Sequence, residues 1–159
     1  MANTAPQFEL QTSGPAYGDD YAAWVEHQRT LLREHRFYEL DVGNLVEEVG
    51  DLGSSAYKGW LSAIRLVLLH MLKWDYQPTL RSRSWATTIA VQKDAIADGL
   101  RESPSYRSRM DEALVRAYAD VRRLASGETD LPLATFPLTC PYSWSIMASR
   151  EIAWPGDDA

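Results

Sequence analysis

The chain has a single cysteine, Cys140, in 159 residues. An intramolecular disulfide and a thiolate metal cluster are therefore excluded, and a reducing interior suits the chain. No apolar run approaches the roughly 20 residues that span a bilayer. The opening Met1-Ala2-Asn3-Thr4-Ala5-Pro6 has neither the charged nor the apolar region of a secretion signal. The cytoplasm is the expected compartment, with no membrane partner. Basic charge is also scarce: 16 Lys and Arg stand against 22 Asp and Glu, for a formal charge of -6 and a pI near 5.0. Nucleic acid and anionic membrane surfaces need a dominant basic patch, so the balance argues against both. There is no alternating strand run, no Gly-x-Ser-x-Gly elbow and no Glu-x-x-His pair. Gly43, Gly50, Gly53 and Gly59 are too scattered to form a phosphate loop.

What remains is helical periodicity. Residues 1–17, with Pro6, Gly14 and Pro15, read as a flexible arm, and residues 18–155 as one domain. Asp19 or Asp20 caps a first helix whose stripe of Tyr21, Trp24, Val25, Gln28, Leu31 and Leu32 should face a core, ending near Arg36-Phe37. Asp41 opens a second. Its stripe of Leu45, Val46, Val49, Leu52, Ala56, Trp60, Ile64, Val67 and Met71 keeps phase through Gly50 and Gly53. That favours one helix of about 30 residues, roughly 45 Å long, with a bend near Gly53 left open. Gln77-Pro78 breaks it. Ser82 or Ser84 caps a third helix, through Ile89 and Ile96. Ser103-Pro104 opens a fourth, stopped at Gly127. The proline-spaced aromatic remainder reads as a strap with one short helix after Ser143. The fold class is all-α: an up-and-down bundle of about four main helices with one long central helix.

Several segments are distinctive in combination. They are Tyr21-x-x-Trp24 with Gln28, Leu40-Asp41-x-x-Asn44-Leu45-x-Glu47-Glu48, Leu52-Gly53, and the string from His70 to Trp85. Thr88-Ile89 with Gln92, and the exit from Leu131-Pro132 to Thr139-Cys140-Pro141-Tyr142, complete the set. In these residues the chain resembles the bacterial family catalogued as domain of unknown function 29, from about Tyr17 to Tyr142. It departs from the family after Tyr142, where Ser143-Trp144-Ser145-Ile146-Met147 replaces a more acidic helix. The resemblance implies an all-helical fold and supplies no activity, cofactor or catalytic residue.

Three constellations are candidates for chemistry. Gln28, His70 and Gln92 fall in or beside the apolar stripes of three helices. They form either a buried network that fixes helix register or the polar groups of a ligand pocket. Glu47, Glu48 and Asp51 suit a hard cation by residue type, with His70 as a further ligand only if the long helix folds back. A solvated acidic face is the plainer reading. Lys73, Arg81 and Arg83 flank the amino end of the third helix, where free amides favour an anion. Cys140 reads as a packed small side chain, and His27 and His35 as surface residues. Tyr142, Trp144, Ile146 and Met147 are a candidate exposed strip for a protein partner or a second copy. The balance favours a non-enzymatic helical interaction or regulatory module; the alternative is a metal-dependent or anion-binding enzyme with a site between helices.

Overall fold

Short polar side chains open four of the five described α-helices at positions the sequence marks. In the structure, a computed structural model that describes residues 14–152 and 154, Asp20 accepts from the Ala23 amide (3.0 Å) and starts α1, Tyr21–Arg33. Asp41 accepts from the Asn44 amide (3.3 Å) ahead of α2, Val42–Tyr76. Ser82 caps α3, Arg83–Glu102, by accepting from the Trp85 amide, and Ser143 caps α5, Trp144–Ser149. Each cap satisfies an amide that has no partner inside its helix. No strand occurs among the described residues, and the fold is an all-α, up-and-down helical arrangement. Residues 1–13 of the expected arm, and residues 153 and 155 of the expected domain, lie outside the described residues.

The helix ends differ from expectation. α1 stops at Arg33 without a glycine: His35 adopts φ 60°, its amide donates to Leu32 O (3.2 Å), and the Arg36 amide donates to Leu31 O (2.9 Å). This is a Schellman turn with histidine in the left-handed position that glycine usually fills. His35→Gly should therefore raise stability by about 0.5–1 kcal/mol in denaturant unfolding; no gain would mean that the imidazole repays the strain. Ser103-Pro104 opens a 3-10 segment, Pro104–Arg109, and α4 begins only at Met110. α4 passes through Gly127 to Thr129 and ends on Asp130, at φ 57°.

The chain divides into two compact units, one through Ser54 and one from Ser55. In the first, α1 and the opening turns of α2 are antiparallel: Trp24 and Gln28 reach Asp41, while Tyr21 reaches Glu48. In the second, Trp60 Nε1 donates to Ile96 O (3.2 Å) and Lys73 lies over the Trp85 ring, so α2 and α3 are antiparallel. Arg65 pairs with Asp120 (2.6 Å) and Lys73 with Glu128 (2.8 Å), so α4 runs parallel to α2. Ile64, Val67, Leu68, Leu72, Ile89, Val121 and Phe136 fill the core of this unit. The strap then runs back along α4. Leu131 O accepts from Ser126 Oγ (2.7 Å), Phe136 O from Arg122 Nε (3.0 Å) and Pro137 O from Tyr118 OH (2.7 Å).

Candidate functional site

Gln28 is buried, and its Oε1 accepts from the Asp41 backbone amide at 2.8 Å. Asp41 in turn accepts from Trp24 Nε1 (3.1 Å) and Asn44 Nδ2 (2.6 Å). The Asn44 hydrogen bonds hold its carboxyl below the usual range despite some desolvation, with Trp24 contributing. These bonds fix the α1–α2 junction, which gives Gln28 a structural task. Glu48 sits one turn further on. Its two oxygens accept from Tyr17 OH (2.5 Å) and Tyr21 OH (2.8 Å), which depresses its pKa and pushes Tyr17 up to about 12. Tyr17, Tyr21 and Trp24 pack as a ring cluster, with Tyr17 edge-on to Trp24 at 4.8 Å, so Tyr17 of the expected arm is anchored. Glu47 and Asp51 are exposed.

The second unit holds the other candidates. His70 is half-buried, with Nδ1 2.9 Å from Leu66 O in its own helix, and Gln92 is half-buried on α3. Gln28 has its partner within the first unit, so the hydrogen bonds do not join the trio. Lys73 is committed to Glu128 and Trp85, while Arg81 donates to Trp74 O (2.8 Å) and lies over that indole. Arg83 is an exposed first-turn residue of α3. Among the described residues, no group of three His, Cys, Asp or Glu side chains is placed to hold a metal ion. Burial pushes the Cys140 thiol pKa up, against a reactive thiolate.

Two features escape sequence reading. Asp75, on α2, accepts from Tyr142 OH (2.7 Å) and from Arg150 Nη1 (2.8 Å) and Nη2. This network ties the strap and α5 to the central helix. It also corrects the expected exposed strip: Tyr142 and Met147 are buried, and Trp144 stacks on Trp60 at 6.1 Å, leaving Ile146 as its one exposed member. His27 is half-buried, with its ring against Gly14.

The second feature is the opening of α2. Val46, Val49 and Leu52 are 67, 67 and 70 % exposed, whereas Trp60, Ile64 and Val67, in the same stripe, are 4 % exposed or less. Val42 is exposed with them, and on α1 so are Tyr21, Val25 and Leu32. The expected core-facing stripe of α1 is thus buried at Trp24, Gln28 and Leu31 and exposed at Tyr21, Val25 and Leu32, and the α2 stripe is largely exposed before Tyr57. Periodicity reports which residues share a face, not whether anything covers it. Between α1 and α2 lies a groove of about 240 Å³ lined by Tyr21, Val25, Leu32, Leu45, Val49 and Leu52, with Gln28, Arg29 and Glu48 also in its walls. Arg29 is paired with Glu26 at 2.8 Å.

No described helix is long and apolar enough to cross a membrane. No curated protein and no solved structure matches the chain. A family model, that of the domain of unknown function DUF29, matches residues 16–152, ten residues beyond the resemblance visible by eye. Nearly the whole chain lies within that match, and the protein belongs to the DUF29 family.

Proposed function

We propose that the chain is a non-enzymatic, cytoplasmic helical interaction module that engages a protein through the face shared by α1 and the opening turns of α2. One observation carries this reading: a stripe that is core from Tyr57 onward continues with the same spacing through Val49, Val46 and Val42 and is uncovered there. Contiguous exposed apolar surface of this kind marks interaction sites. The small interior of the first unit adds support. Among its described residues, Trp24, Leu31 and Leu40 are the buried apolar side chains, a small core for a unit that runs through Ser54, and small units bury a lesser share of their surface and are correspondingly marginal. The enzyme alternative draws no comparable support, because Glu48, Lys73 and Arg81 already serve neighbours within the fold.

Photo-crosslinking tests the reading in cells expressing the full chain. A photoreactive residue at Val49 is expected to give a discrete protein adduct, and one at Val115, exposed on α4, is expected to give none. Absence of an adduct at Val49, or the same adducts from both positions, would contradict it.

A further inference from the structure

The unit that carries the exposed groove is strongly acidic. Residues 1–54 carry ten carboxylates against three arginines, Arg29, Arg33 and Arg36, a formal charge of -7, one more negative than the whole chain. Residues 55–159 are close to neutral, with thirteen Lys and Arg against twelve Asp and Glu. The acidity noted for the chain is thus concentrated on the unit that carries the uncovered apolar stripe. Within that unit the charge is maintained: hydrogen bonds hold Glu48, in the groove wall, and Asp41, at the helix junction, in their ionised forms. Arg36 is committed to Glu39 and Glu34, and Arg29 to Glu26.

From this we infer that the groove receives a cationic amphipathic helix of a partner protein. The helix would lay leucine-type side chains at i, i+3, i+4 and i+7 against Val25, Leu32, Val49 and Leu52 and present Lys or Arg to a unit rich in carboxylates, with Glu48 in the groove wall itself. Helix-in-groove recognition uses this spacing. Charge decides the class of occupant. A second copy brings its own -7 unit against the first, and like-charge juxtaposition at an interface is costly. An anionic membrane is repelled for the same reason. A basic helix gains Coulomb attraction and electrostatic steering, and its apolar face covers the stripe. The inference rests on the interaction-module reading and adds the partner's chemistry.

The test titrates the full chain, by calorimetry, with three designed helical peptides that share one leucine stripe and differ in their polar residues: lysine, glutamine or glutamate. A fourth peptide scrambles the leucine–lysine sequence to remove the stripe. The leucine–lysine peptide is expected to bind about tenfold or more tighter than the glutamine peptide and to weaken severalfold between about 50 and 300 mM salt. The glutamate and scrambled peptides should not bind measurably. Val49→Gln with Leu52→Gln, at exposed positions and checked for unchanged helicity, should cost about tenfold or more in affinity.

Equal, salt-insensitive binding of the lysine and glutamine peptides would overturn the cationic class while leaving the module reading intact. Unchanged affinity in the double variant would overturn the groove as the site. A dimer in sedimentation, abolished by the same two substitutions and blind to every peptide, would assign the face to a second copy. Failure of all peptides alongside a Val49 adduct in cells would sink this inference alone; failure of both would sink the module with it.

Discussion

Replacing Asp75 with alanine is expected to lower the stability of the chain by about 2–3 kcal/mol, because removing one member of a partly buried ion pair strands the other. Arg150 would lose both carboxylate bonds and Tyr142 OH its acceptor, and the strap and α5 would lose a fixed point on α2. The figure lies below that for a fully buried pair because both partners keep close to a third of their side-chain exposure. Tyr142→Phe, which removes one hydrogen bond and leaves the ion pair, should cost about 1 kcal/mol. The pH dependence has a definite sign. Burial alone would raise the Asp75 pKa, but the Arg150 and Tyr142 hydrogen bonds outweigh it and hold the folded value below the ordinary 3.8. The contribution is therefore complete above the unfolded value and is lost as pH falls through the folded one. Melting temperatures of Asp75→Asn should fall less steeply than those of the wild type below about pH 4. Asp41 and Glu48 are depressed as well and add to the same acid limb, so the slope should shrink without vanishing. Parallel curves for the two proteins would mean that Asp75 is not held ionised by the network.

Gly99→Ala is the second large effect, and its sign runs against helix propensity. Alanine in place of glycine inside a helix normally gains about 1 kcal/mol. At position 99 of α3, however, a Cβ would stand 2.4 Å from Trp60 Cδ1, and the indole has little room to retreat. Its Nε1 donates to Ile96 O at 3.2 Å, and its ring packs against Tyr106 at 4.9 Å and Trp144 at 6.1 Å. Relief requires breaking that bond or moving α3 away from α2, so the expected result is a net loss of about 2 kcal/mol. Gly59→Ala is the internal control. It lies in α2, and its added Cβ meets nothing within 4 Å, so it should stabilise the protein by up to about 1 kcal/mol. Denaturant midpoints of the two variants should move in opposite directions; a shared direction would show that the Trp60 contact does not decide the outcome.

The sequence made helix starts easier to read than helix ends, for a physical reason. Asp20, Asp41, Ser82 and Ser143 cap through their own side chains, so residue type and position suffice. The ends of α1 and α4 depend on left-handed His35 and Asp130, residues that carry little of glycine's signal, while Gly127 sits within α4 and stops nothing. The single long α2 was legible because its apolar phase continues through Gly50 and Gly53. The partners of its polar residues were not. Asp75 and Arg150 are 75 positions apart, and nothing local to either marks the other. Gln28 was visible as a polar residue in an apolar stripe, but its partner is a backbone amide thirteen residues away, which has no sequence signature. The same limit applies to the proposed docking face. Val46 and Val67 look alike in the periodic pattern, and only the fold distinguishes the exposed valine from the buried one.

Backbone amide hydrogen exchange on the full chain, with and without the leucine–lysine helix near saturation, tests the central claim most directly. The account predicts slower exchange in α1 and in α2 from Val42 to about Leu52, with α3 and α4 unchanged. Protection confined to α3, α4 or α5, or no protection at a peptide concentration that saturates the titration, would contradict the assignment of this face as the docking surface.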